Sequence, residues 1–261
     1  MRYFLKLSYN GMNFHGWQSQ PNAVSVQETI EKALSTILRQ PISITGAGRT
    51  DTGVHARMMF SHFDYPEAIE DKKRFLLSLN RLIGKDIAIH ELYPVHEDAH
   101  ARFDATSRTY KYFIGFEKNP FLKELYWQSP SFLSIEKMNE AAEILKGVAD
   151  FTSFAKLHSD VKTNICDVRE AYWLPLQKDK EGSDFMGTLK DGIVFTITAD
   201  RFLRNMVRAI VGTLVEVGRN KISINDFKEI IDERNRCSAG TSMPPNALFL
   251  WDITYPYIPS Q

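Results

Sequence analysis

Residues 102–116, RFDATSRTYKYFIGF, decide how the chain is organised. The first five, Arg102 to Thr106, read as a joint, and from Ser107 to Phe116 a strand pattern starts afresh. Upstream of the joint, Tyr3–Tyr9 alternates as a strand and closes on the turn signal Asn10-Gly11. Ser25–Leu38 reads as an amphipathic helix, with Val26, Ile30, Ala33, Leu34, Ile37 and Leu38 on one face. Ser25, three residues ahead of Glu28, resembles a capping box. Ile42–Thr45, Met58–Phe63 and Ile87–Tyr93 read as strands, and Asp71–Leu82 as a helix. Downstream the order repeats. Ile135–Leu145, Phe202–Val217 and Ile224–Asp232 read as helices, while Arg169–Leu174, Ile193–Thr198 and Leu248–Tyr255 read as strands. The charged, glycine-containing stretch Gln177–Gly187 reads as a hairpin loop. Each half offers helices to cover one face of an antiparallel sheet. The expectation is an α+β fold of two similar halves, residues 1–104 and 105–261.

Composition narrows the function classes. With 43% hydrophobic and 25% charged residues over 261 positions, the chain is long and apolar enough to bury a core without staples. Two cysteines, Cys166 and Cys237, exclude a disulfide scaffold and a four-cysteine zinc site. The best apolar run, Met206–Val217, carries Arg208 and Glu216 and falls short of the roughly 20 residues a membrane span needs. No membrane partner is expected, and MRYFLKLSYNG breaks at Lys6 before forming a signal sequence, so a cytoplasmic location is the default. Thirty-two basic side chains balance thirty-two acidic ones, which speaks mildly against a nucleic-acid binder. The balance is not local, however. Between 201 and 221, Arg201, Arg204, Arg208, Arg219 and Lys221 face a single acid, Glu216.

Three segments have residue types suited to chemistry. Gly46–Ala56 holds three glycines in eight residues, implying tight turns or close backbone approach to a ligand. It lacks the lysine of a phosphate-binding P-loop and the glycine spacing of a dinucleotide fingerprint. What remains is one carboxylate, Asp51, with Arg49 two residues before it. Asp51 is either a capping group in a structural turn or an ionised nucleophile or base, and these residues alone leave both open. In the second segment, Arg201, Arg204 and Arg208 share a face if the helix begins at Asp200. Cations in a first turn oppose the helix dipole by about 0.3–1 kcal/mol each, so such a cluster calls for an anion. A solvated basic face is the equally weighted alternative. In the third, Arg108, Tyr110 and Tyr112 face one way along a strand, and Ser107, Thr109 and Lys111 the other. Aromatic and basic groups on one face suit base stacking, but standing alone the segment reads better as an ordinary half-buried strand, for which Tyr is a favoured residue. His96 and His100 do not complete a metal motif, and no metal site is expected.

Taken together, the segments resemble one family. GRTDTGVHA, with SVQETIEKAL before it, HARFDATSRTYKY in the middle and FLRNMVRAIVG after it, is similar to the tRNA pseudouridine synthase A (TruA) family. The likeness runs from YNGMNFHGWQSQ to LFLWDITYP. It implies isomerisation of uridine to pseudouridine in the anticodon stem-loop of tRNA, at positions 38 to 40, without a cofactor. It implies Asp51 as nucleophile, Arg208 as its ion-pair partner and Tyr110 as the active-site tyrosine. Arg49 then contacts RNA near the flipped base, with Arg201 and Arg204 as further RNA contacts. It also implies that the two sheets join into one extended sheet with a central cleft, and that the active form is a homodimer. Thr52 and Ala247 depart from the family's commoner alanine and glycine without removing a catalytic group. A silent RNA-binding protein and a mononucleotide-binding enzyme are the rival readings. The first would tolerate loss of Asp51, and the second would bind nucleotides without RNA.

Overall fold

The computed structural model describes residues 1–130, 132–157 and 162–259. The described residues form nine strands and six α-helices, in two compact units. One unit is Met1–Thr106 with the C-terminal stretch from Leu250, and the other is Ser107–Phe249. The first unit contains β1 (Arg2–Tyr9), α1 (Val26–Leu38), β2 (Thr45–Gly46), β3 (His55–Asp64), α2 (Lys72–Leu82) and β4 (Ile87–Val95). The second contains β5 (Ser107–Gly115), β6 (Trp127–Gln128), α3 (Ile135–Ile144), β7 (Val168–Pro175), α4 (Lys180–Met186), β8 (Gly192–Ala199), α5 (Met206–Gly218) and α6 (Ile224–Asp232). The last strand, β9 (Leu248–Thr254), begins in the second unit and ends in the first.

In the first unit the strands run in the order β4-β1-β3-β9, with β2 added to β3. β1 is flanked on both sides, antiparallel to β3 and β4. Its residues Tyr3 to Leu7 are buried without alternation, Lys6 included, so both faces of the strand are covered. The second unit runs β5-β8-β7, and its middle strand β8 is likewise a buried run through Ile193, Val194, Phe195, Thr196 and Ile197. These pairs are antiparallel as expected; the one parallel pairing described joins the two-residue β6 to β5. α5 is buried on nearly every side, through Ala209, Ile210, Val211, Leu214 and Val215, and packs against α3.

Several expectations need correction. Ser25 caps α1 by accepting from the Glu28 N–H at 3.2 Å, but the Glu28 carboxylate pairs with Lys32 rather than closing a capping box. The strand expected over Ile42–Thr45 shrinks to Thr45–Gly46. Gln177–Gly187 is not a hairpin loop but a short helical turn followed by α4. Asp179 accepts from the Gly182 N–H at 2.9 Å to start that helix and binds the Lys111 ammonium at 2.6 Å. Both members of this pair are only 7% exposed.

Candidate active site

Asp51 stands on the loop between β2 and β3, and the segment following β1 holds that loop in shape. The Trp17 N–H donates to the Thr50 carbonyl at 3.2 Å, and the Gly53 N–H donates to the Phe14 carbonyl at 3.4 Å. A turn closes on Asp51 itself, whose carbonyl accepts from the Val54 N–H at 3.1 Å. Gly53 has φ +78°, a conformation that suits glycine. The approach of the two segments also requires glycine. A Cβ on Gly11 would lie 2.0 Å from the Val54 oxygen, and one on Gly16 2.4 Å from the Thr50 oxygen. The Tyr9 hydroxyl bonds Thr50 Oγ1 at 2.8 Å, one residue before the carboxylate. Buried His55 accepts the Gly11 N–H at Nδ1, 3.0 Å away, so its ring proton sits on Nε2. The result is a half-buried Asp51 between a buried Thr50 and an exposed Thr52, with Arg49 exposed.

In the second unit, β5 has the two faces expected of it. On one, Arg108 donates to the Asp200 carbonyl at 2.7 Å, Tyr110 meets Phe202 edge-on at 5.0 Å, and buried Tyr112 donates to the Pro244 carbonyl at 3.1 Å. On the other, Thr109 bonds Thr198 and Lys111 meets Asp179. Tyr110 is half-buried.

The arginine cluster is arranged differently from the expectation. α5 starts at Met206, not near Phe202, because Asn205 takes a left-handed conformation with φ +68°. Asp200 is no helix cap: its carboxylate accepts from the backbone of Asp167 and Arg201. Arg201 and Arg204 therefore lie on an irregular segment, and Arg208 alone of the three is on the helix. Arg208 Nε donates to the Met243 carbonyl at 2.6 Å. The 240–243 segment can approach because Gly212 leaves room; a Cβ there would lie 1.9 Å from the Thr241 oxygen. Ser242 Oγ is held by Asn205 at 2.6 Å and Arg236 at 2.7 Å. Burial pushes the Tyr112 phenol far above its usual range, and the nearby Arg208 guanidinium opposes that shift.

The second unit thus brings Tyr112, Arg208 and the 243–244 carbonyls together, while Asp51 and Arg49 share a loop of the first. Sequence reasoning missed several residues beside these. Tyr9, Gly16 and Trp17 fix the Asp51 loop from more than thirty positions away. Exposed Lys156 donates its N–H to the Arg204 carbonyl at 3.0 Å, adding a cation beside the basic segment. The exposed Arg57 guanidinium lies 4.7 Å from the Trp251 ring centre. Among the described residues, no group of three His, Cys, Asp or Glu side chains could hold a metal ion. A fixed carboxylate suits nucleophilic or basic work, and forked guanidinium groups with a half-buried phenol ring suit an anionic, aromatic substrate.

Comparison with known proteins decides among these uses. A family model described as tRNA pseudouridine synthase matches residues 7–104 and 141–256. The chain belongs to that family. Membership makes this synthase an RNA-modifying isomerase. The matched stretches contain Asp51, Arg201, Arg204 and Arg208, while Tyr110 falls between them. Over 98% of its length the synthase is 54% identical to the tRNA pseudouridine synthase A of Parabacteroides distasonis, covering 96% of that protein. It is 53% identical to that of Bacteroides fragilis, with the same two coverages. Against that of Bacillus subtilis the identity is 35%, over 98% of this chain and 99% of that one.

Proposed function

We propose that this synthase converts uridine to pseudouridine in the anticodon stem-loop of tRNA, at positions 38 to 40, with Asp51 as the nucleophile. The observation that carries the reading is the Asp51 loop. A half-buried carboxylate sits on a turn that Phe14, Trp17 and Tyr9 hold in one conformation, inside a chain of this family. The target uridine leaves the helix stack at a cost of a few kcal/mol. Stacking on Tyr110 and phosphate contacts from Arg49, Arg201 and Arg204 offset that cost. The carboxylate attacks C1′ of the ribose, acts through a ribose glycal, or adds to C6 of the base. On every route the N1–C1′ bond breaks, the uracil turns, a C5–C1′ bond forms with release of any bond to Asp51, the C5 proton leaves and N1 takes up a proton. Substrate and product are isomers, so the chemistry needs no redox partner or group donor. Arg208 balances the charge of Asp51 during this exchange. The enzyme works as a cytoplasmic homodimer.

Tritium release from tRNA labelled at uridine C5 tests the reaction, and pseudouridine mapping of the product tests the position. Release together with new pseudouridine at 38 to 40 is the expected result. Release with modification confined to another arm of the tRNA would overturn the site assignment.

A further inference from the structure

Phe103 is 74% exposed, yet the turn that bears it is tied down by several hydrogen bonds. The His100 N–H donates to Asp104 Oδ2 at 2.7 Å, and the Asp104 N–H returns to the His100 carbonyl at 3.1 Å. His100 Nδ1 accepts from the N–H groups of Arg102 and Phe103 at 3.1 and 3.3 Å. The turn is also anchored to its surroundings. The Ala101 N–H donates to His62 Nδ1 at 3.1 Å, and the Ala101 carbonyl accepts from the Tyr255 hydroxyl. Tyr257 donates to Asp104 at 2.8 Å, and Arg2 donates to the Ala99 carbonyl at 3.0 Å. The acid on the turn is thus engaged by its own backbone and a phenol.

An exposed apolar side chain gains nothing for folding, and one on a mobile loop would call for no account. Here the ring is displayed on a fixed support. The His100 imidazole lies against it at 4.2 Å between centres, tilted by 34°, and the Arg102 guanidinium carbon lies 5.7 Å from its centre. A rigid aromatic ring with a cation beside it is the arrangement that binds single-stranded nucleic acid: the ring stacks on a base, and the cation takes the neighbouring phosphate. In a chain of this family the RNA substrate offers both halves of that chemistry at once, a base face for the ring and a phosphate charge for the guanidinium.

We propose that Phe103 is a stacking platform for an unpaired base of the substrate RNA, outside the site of chemistry. The inference rests on the reading of this chain as a tRNA-modifying enzyme. The turn is fastened at His62, seven residues along β3 from His55. At about 3.3 Å per residue that places its anchor roughly 23 Å from the strand end that receives the Asp51 loop. Phe103 therefore anchors the RNA and does not touch the reacting uridine.

Binding of an unmodified tRNA transcript to Phe103→Ala, Phe103→Leu and Phe103→Trp tests the proposal, with tritium release measured in parallel. Losing one stacked base weakens binding by at least about fivefold, so Phe103→Ala raises Kd and KM by that factor or more, with kcat affected far less. Phe103→Leu behaves like Phe103→Ala, and Phe103→Trp restores affinity with tryptophan fluorescence quenched by tRNA beyond the change seen in the unmodified chain. Affinity for Phe103→Ala equal to that of the unmodified chain would overturn the proposal. So would rescue by leucine, or a changed oligomeric state at unchanged tRNA affinity, which would make Phe103 a protein contact. An unmodified chain that releases no tritium would instead count against the proposed function.

Discussion

Arg208 and Met243 clasp each other through both backbone and side chain. Arg208 Nε donates to the Met243 carbonyl at 2.6 Å, and the Met243 N–H donates to the Arg208 carbonyl at 3.1 Å. The clasp sets the plane of a guanidinium that otherwise has several rotatable bonds. Lysine has a positive charge but no trigonal Nε, so it cannot reproduce that bond. Arg208→Lys is expected to lower kcat by roughly 10- to 100-fold, the equivalent of one charge-assisted hydrogen bond. Its tRNA affinity should change only a few-fold. Single-turnover tritium release beside equilibrium binding separates the two; loss of binding alone would make Arg208 a phosphate contact.

The same clasp depends on Gly212. Helix propensity by itself predicts that Gly212→Ala stabilises α5 by about 1 kcal/mol. The added Cβ, however, falls 1.9 Å from the Thr241 oxygen, a backbone atom that cannot turn aside. Overpacking costs about 1–3 kcal/mol, so the net effect is expected to be destabilising. Urea unfolding measures it, and a fall in kcat should accompany the shift as the 240–243 segment is pushed from Arg208.

Lys111 and Asp179 form a buried ion pair whose loss should be felt beyond the pair. Asp179 also starts α4, so Asp179→Ala removes a helix cap and takes from the buried Lys111 ammonium its nearer carboxylate, leaving the more exposed Glu181 at 3.7 Å. Breaking such a pair from one side costs about 3–5 kcal/mol, while replacing both partners by apolar residues is close to neutral. Lys111→Met and Asp179→Ala should each be strongly destabilised in chemical unfolding. Lys111→Met combined with Asp179→Leu should recover most of the loss.

His62 gives the fold an acid limit. Burial lowers its pKa from 6.5 to about 4, with Arg2 and His100 adding to the shift, and the ring accepts the Ala101 N–H. The neutral form belongs to the folded state. Between 6.5 and 4 the unfolded chain takes up a proton that the native one refuses, so stability falls as pH falls through that window. The stabilisation is present in full above 6.5 and lost near 4. His62→Gln should flatten the decline in unfolding free energy between pH 7 and pH 4.5 relative to the unmodified chain. An unchanged slope would show that His62 does not set the limit.

How far the sequence was readable depended on the range of the interactions. α1, α2 and α6 are legible in local sequence: Ser25 beside an apolar period marks the start of α1, and the structure adds Asp71 and Ser223 as the caps of the other two. The start of α5 lies beyond the expected one because Asn205, not Asp200, ends the irregular segment, and a left-handed asparagine leaves only a faint local mark. α4 reads as a loop in the sequence because the lysine that holds its capping Asp179 lies 68 residues away. At the site, the glycine-rich pattern singled out Asp51 directly. The residues that hold it, Tyr9, Phe14, Gly16 and Trp17, act through backbone contacts that no local pattern encodes.

The most direct measurement is tritium release from C5-labelled tRNA by Asp51→Asn, a substitution that keeps the side chain's shape and removes its charge. If the carboxylate performs the bond exchange, release falls by more than about 10³-fold, as for other catalytic nucleophiles, while the variant still binds tRNA. Release within tenfold of the unmodified chain, by a protein folded and bound to tRNA, would contradict the account.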